Sequence, residues 1–277
     1  MKRILTIQDI SCVGRCSLTG ALPSISAAGV EAGVLPTAVL STHTMFPKFT
    51  FCDLTDEIEG ISNAFSELNI GFDAIYTAYL GSFRQLGLVS DLIDQHRTEN
   101  NLVVIDPAMA DNGKLYPAFS SEFARAMAGL CGKADLIIPN LTEAAFMLGE
   151  EYMGDKNYSA DDVKGLLERL CALGAPVSVL TGVSLEEGRC GVMAYDSCKN
   201  EFYEYYNEHL PVSFHGTGDV FASGCFAALM SGQALPDALK TAVEFTLDSI
   251  RQTISEPDHI WYGVNFEKSI PKLLELL

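Results

Sequence analysis

Basic residues are scarce in this 277-residue chain: 18 lysines and arginines face 36 aspartates and glutamates, a formal charge of −18. General binders of nucleic acid or of anionic membranes need a clustered basic footprint, so neither class is expected. The shortage leaves room for a phosphate-bearing small ligand, because backbone N–H groups at a helix N-terminus hold phosphate with few cationic side chains. Long apolar runs are missing too. No stretch approaches the ~18–20 residues of a membrane span, and the apolar run after Met1-Lys2-Arg3 is too short for a signal segment. The eight cysteines include no C-x-x-C pair and fall far below a disulfide scaffold. A cytoplasmic protein with reduced thiols is expected.

Several catalytic signatures are absent as well. There is no G-x-x-x-x-G-K-[ST] loop, no protein-kinase H-R-D and D-F-G pair, no G-x-G-x-x-G after the first strand and no G-x-S-x-G elbow. The five histidines lack metal-ligand spacing.

What is present is core material and alternation. Hydrophobic residues make up 48% of the chain. Short apolar runs at 4–7, 34–40, 74–78, 102–105, 136–138 and 177–180 read as buried strands. Between them, helical stretches are predicted at about 17–29, 55–69, 83–98, 119–131, 141–149 and 159–173. That alternation predicts an α/β protein, three layers α/β/α around a mostly parallel sheet. Segments 191–195 and 201–206, separated by a polar turn, predict an antiparallel hairpin at one sheet edge. Helices at 217–231 and 235–254 follow, and Pro271 is expected to start a last short helix. With no linker or repeat, residues 1–277 read as a single domain. Ligands of such sheets sit beyond the C-terminal strand ends, which points to the polar junctions at 8–13, 41–45, 78–82, 106–111, 139–143 and 181–183.

The sharpest motif is His215-Gly216-Thr217-Gly218-Asp219. Gly216, Thr217 and Gly218 open a long helix, so their N–H groups can converge on an anion with the helix dipole behind them. A carboxylate beside an anion site is unfavourable unless it works there as a base. Asp219 could equally be an ordinary helix-start residue. The second motif is Asn140-Leu141-Thr142-Glu143, just after a strand. It has capping-box spacing, yet Glu143 could also hold Mg2+ through water. Asp106, before Pro107, ends another strand.

Taken in order, Leu5-Thr6-Ile7-Gln8, Leu40-Ser41-Thr42-His43-Thr44, Thr77-Ala78-Tyr79-Leu80-Gly81-Ser82, Val104-Ile105-Asp106-Pro107-Ala108-Met109, Ala134-Asp135-Leu136-Ile137-Ile138-Pro139-Asn140 and the Gly-Thr-Gly-Asp turn resemble the ribokinase-like superfamily. The chain is most similar there to the vitamin B6 (pyridoxal, pyridoxine and pyridoxamine) kinases. The resemblance implies ATP-dependent phosphorylation of a 5′-hydroxymethyl group in pyridoxal 5′-phosphate salvage. It implies Asp219 as catalytic base and Gly216, Thr217 and Gly218 as anion hole. Asp106, Asn140, Glu143 and Thr181 would line the ATP and Mg2+ region, with Glu143 and Asp106 meeting the metal mostly through water. Asp111 and Lys114 lie in a loop that covers the site in the family, and Lys114 would approach phosphate. His43, Thr44 and Tyr79 would line the vitamin ring. Family members are usually homodimers that use Mg2+ and ATP, often with a monovalent cation.

Two departures stand out. Asp9 replaces the Ser common in the family, and Ser17-Leu18 replaces Gly-Asn. A carboxylate at Asp9 favours a ligand offering a cationic or donor group, such as the aminomethyl of pyridoxamine, unless it turns away to cap a loop. The rival kinase is the hydroxymethylpyrimidine (phosphate) kinase of thiamine synthesis, which typically has Cys after Gly-Thr-Gly. A non-catalytic ligand-binding protein on the same fold is the alternative of another class.

Overall fold

The computed structural model describes residues 1–154 and 157–277. Its first half runs β1 (Arg3–Ser11), α1 (Leu18–Ala27), β2 (Glu31–Leu40), β3 (Phe51–Asp53), α2 (Ile58–Glu67), β4 (Ala74–Thr77), α3 (Phe83–His96) and β5 (Leu102–Ile105). Then come the short strands β6 (Ala110–Asp111) and β7 (Lys114–Leu115), α4 (Ser121–Cys131), β8 (Leu136–Ile137), α5 (Leu141–Leu148) and α6 (Ala160–Cys171). The chain ends with β9 (Val177–Val183), β10 (Arg189–Asp196), β11 (Glu201–Glu208), α7 (Thr217–Met230), α8 (Leu235–Ile254) and α9 (Phe266–Leu276).

Nine strands form one sheet in the order β11-β10-β9-β8-β5-β4-β1-β2-β3. The pairings from β2 through β9 are parallel, while β9·β10, β10·β11 and β2·β3 are antiparallel. The expected α/β architecture and edge hairpin are therefore both present. Side chains alternate across a strand, and this divides the core. Leu5 and Ile7 of β1 with Val103 and Ile105 of β5 face the layer of α2 to α6. Ile4 and Val104 face α1, α7 and α8. Helices start where serine side chains cap them: Ser82, Ser120 and Ser159 each accept a first-turn N–H.

The structure corrects the sequence reading at three places. Pro271 lies inside α9 rather than at its start, because Phe266 and Leu273 bury one helix face against Val220 and Phe245 and carry the helix across the proline. The exposed edge strand β3 has too few residues for a periodic signal. The hairpin β6–β7 turns on Asn112 and Gly113, both at positive φ (49° and 73°), the Asn-Gly signature of a two-residue turn. All eight cysteines are free. Among the described residues no helix is long and apolar enough to cross a membrane.

Candidate active site

The C-terminal ends of β1, β4, β5, β8 and β9 and the start of α7 converge on one rim of the sheet, as the topology rule requires. A separate cavity of about 520 Å3 lies at the opposite strand ends, and its Arg97 and Lys133 are already paired with Asp135 and Asp94.

At the start of α7, Gly216 has φ +83° and is the N-cap, with no side chain capping the helix. The first-turn amides of such a helix have no partner within it, and they open toward the rim. Glycine is required at 216, since a Cβ there would lie 2.5 Å from the Arg15 carbonyl oxygen. At Gly218 a Cβ would meet nothing within 4 Å, so the space over the turn is open to a ligand. Asp219, half-buried in the first turn of α7, follows directly. Desolvation, with the nearby charge of Asp9 adding to it, pushes its carboxyl up to about 7, while backbone hydrogen bonds from Ser17 and from its own amide pull the other way.

Asp106 and Glu143 form a buried acidic pair next to this turn. Burial and mutual repulsion hold the Asp106 carboxyl well above the usual range, with Asp219 adding to the effect, and burial raises Glu143 as well. The Glu143 carboxylate accepts N–H bonds from Met109 (3.1 Å) and Asn140 (2.8 Å). Asn140 Oδ1 accepts from Thr142 and Glu143, completing a capping box, and Asn140 Nδ2 donates to the Ala110 carbonyl at 2.9 Å. These residues pin the β6–β7 hairpin onto α5, helped by the Gly113 amide donating to Thr142 Oγ1 at 3.0 Å. Thr181 is bridged to Asn140, and its amide donates to the Pro139 carbonyl at 3.0 Å. Asp111 holds Asn112 through two 2.9 Å bonds, and Lys114 is exposed on the hairpin.

No group of three or more acidic, histidine or cysteine side chains could hold a metal among the described residues. The oxygen set still fits Mg2+, which commonly uses one or two carboxylates together with phosphates. Asp106 accepts no hydrogen bond from a described side chain, and like-charged Glu143 stands beside it. A divalent cation arriving with phosphates would satisfy both.

On the other side of Asp219 are the residues assigned to the substrate ring. Asp9 is 5% exposed, and the Ser11 hydroxyl donates to its Oδ2 at 3.3 Å. Burial pushes the Tyr79 phenol up, and the nearby Asp9 charge pushes it further. His43 is buried; its Nδ1 accepts from the Met45 amide (3.2 Å), which leaves Nε2–H to donate to the Tyr262 carbonyl (2.9 Å). Thr44 is exposed in the adjoining turn. The structure adds residues that sequence reasoning missed. His43 lies 4.3 Å, centroid to centroid, from the ring of His215, and Phe46, Trp261 and Tyr262 complete an aromatic wall. The only sequence signal for it was the Trp261-Tyr262-Gly263 triplet in the loop between α8 and α9. Tyr116 adjoins the acidic cluster, and Ser17 reaches both Asp9 and Asp219. Cys16 lies between the same two carboxylates, and burial together with their charges raises its thiol, so it is an unreactive packing residue.

Comparison with known proteins identifies the family. The model of the phosphomethylpyrimidine kinase family matches residues 22–261. The pyridoxine kinase of Bacillus subtilis is 30% identical over 188 residues, covering 66% of each chain. The hydroxymethylpyrimidine/phosphomethylpyrimidine kinase of Mycobacterium tuberculosis is 28% identical over 257 residues, 90% of this chain and 88% of that one. A Bacteroides thetaiotaomicron protein, classed with the phosphomethylpyrimidine kinases and crystallised with pyridoxal, superposes with a TM-score of 0.92 at 41% identity, covering 98% of this chain and 95% of the other.

Proposed function

Because the chain belongs to the phosphomethylpyrimidine kinase family, we propose that it transfers the γ-phosphoryl of ATP to the 5′-hydroxymethyl of a vitamin B6 vitamer. The observation that carries this reading is Asp219. It is a carboxylate of raised pKa in the first turn of α7, beside amides that no side chain caps. A base of that pKa is poised near neutral pH.

The phosphates of ATP lie over the Gly216, Thr217 and Gly218 amides, with Lys114 approaching from the hairpin. Asp106 and Glu143 would hold Mg2+, which would supply charge to neutralise the phosphates. Asn140 and Thr181 keep this wall in register. The vitamin ring lies between Tyr79 and the His43 and Thr44 turn. Asp219 takes the hydroxymethyl proton as the oxygen bonds to the γ-phosphorus and the bond to the ADP oxygen breaks. Positioning and electrostatics supply most of the rate. One domain spans the chain in this reading, and the working form is a homodimer, often aided in this family by a monovalent cation.

A second reading, phosphorylation of hydroxymethylpyrimidine, is favoured by the family model and by the mycobacterial relative. Asp219 after Gly-Thr-Gly, where those enzymes typically have Cys, favours the B6 reading. The test follows ADP release with Mg·ATP against pyridoxal, pyridoxine, pyridoxamine and hydroxymethylpyrimidine, with products identified by mass. Turnover of a B6 vitamer to its 5′-phosphate is expected. Turnover of the pyrimidine alone would move the enzyme to thiamine synthesis, and no turnover with ATP still bound would leave a ligand-binding protein.

A further inference from the structure

Asp9 combines three properties seldom found together at a neutral-ligand pocket. It is 5% exposed, no lysine or arginine pairs with it among the described residues, and its Oδ1 has no hydrogen-bond partner. The Ser11 hydroxyl donates to Oδ2, and the nearby Ser17 hydroxyl favours the charged form, while Oδ1 stays open. The backbone confirms that the position is built. Ser17 adopts φ +47° and ψ −134°, a conformation that favours glycine, and it neighbours both carboxylates, favouring the charged form of each. A buried acceptor left open costs free energy unless a donor meets it. Tyr79, Asp219 and Cys16 are the neighbouring groups, and none of them bonds Oδ1, so a ligand donor can meet it.

Resting on the kinase reading above, we propose that Asp9 Oδ1 accepts a hydrogen bond from an amino group next to the reacting hydroxymethyl, so that the site selects aminated rings. Two substrates carry that group, the aminomethyl of pyridoxamine and the ring amine of hydroxymethylpyrimidine. Pyridoxamine brings an ammonium and gains a charge-assisted bond. The aldehyde of pyridoxal offers only an acceptor and faces the carboxylate unfavourably. Pyridoxine, with a hydroxyl in that place, falls between them. The second carboxylate, Asp219, strengthens the preference for a cation.

The experiment measures kcat/KM for pyridoxamine, pyridoxine, pyridoxal and hydroxymethylpyrimidine with Mg·ATP, in the natural protein and in Asp9→Asn. Ratios within one preparation do not depend on its active fraction. The natural protein is expected to prefer pyridoxamine over pyridoxal by about ten- to hundredfold, and Asp9→Asn to shrink that ratio about tenfold or more. Hydroxymethylpyrimidine losing activity alongside pyridoxamine would support the amino group as the common determinant, while its indifference to the substitution would restrict the selection to the cationic amine. A ratio unchanged within about twofold overturns the proposal. So does an equal loss on all three vitamers, which would assign Asp9 to the ring hydroxyl they share. Should Asp9→Asn fail to fold, calorimetric binding to the natural protein without ATP decides: pyridoxamine binding no tighter than pyridoxine overturns the proposal. Absence of any turnover by the natural protein would sink the kinase reading alone, and the binding ratio would still decide the role of Asp9.

Discussion

At the scale of single residues, four carboxylates meet at one rim, and three of them are kept out of their ordinary state by different means. Asp219 loses solvent and senses Asp9; Asp106 loses solvent and senses Glu143; Asp9 is buried with one oxygen open. Carboxylates placed in this way cost stability rather than add to it, so their clustering at one rim points to chemistry. Glu143 shows how both of its readings hold at once. Each of its oxygens accepts a backbone N–H, so it caps α5 and fixes the hairpin, and each oxygen still keeps a lone pair free. Replacing Asp219 by Asn removes the proposed base while keeping the shape. We expect kcat to fall by about 10²–10⁴, with ATP affinity nearly intact.

At the scale of elements, the two glycines of the α7 turn separate folding from function. Gly216→Ala places a methyl against the Arg15 carbonyl and holds alanine at φ +83°, so a lower Tm together with lost activity is expected. Gly218→Ala has room for its methyl but fills the space over the amides, and Tm should hold within about 2 °C, roughly a kcal/mol in a chain of this size or less, while KM for ATP rises. Equal thermal losses in both variants would remove Gly218 from the cradle. Most of this framework was legible in the sequence. The buried parallel strands stand out as short apolar runs, and the stretch predicted at about 235–254 agrees with α8, Leu235–Ile254. The two-residue strands were not, because pairs such as Ala110–Asp111 and Lys114–Leu115 carry no period to detect, although Asn112-Gly113 was a turn signal to be used. The aromatic wall was equally invisible, since His43, Phe46, Trp261 and Tyr262 come from segments more than 200 residues apart and meet where Gly14 and Arg15 pack against Gly263 and His43 bonds the Tyr262 carbonyl.

At the scale of the whole molecule, a charge of −18 opposes the approach of ATP, another polyanion. In the proposed kinase, affinity would therefore come from local amides and the cation rather than from long-range steering. Screening weakens such repulsion as the Debye length shrinks from about 30 Å at 0.01 M to about 8 Å at 0.15 M salt. At fixed Mg2+, kcat/KM for ATP should rise over that interval, and a steep fall would reveal a cationic docking surface. The rim itself unites one end of the sheet with the start of α7, which is where the central claim lies: Asp219 is the base for transfer to a hydroxymethyl group. Its direct test is the pH profile of kcat/KM for the preferred vitamer in the natural protein and in Asp219→Asn. With the carboxyl raised to about 7, the natural protein should lose activity as pH falls through that value, because protonation removes the base. The variant should be slow and lack that limb; a variant keeping more than half the activity, or the same limb, would contradict the assignment.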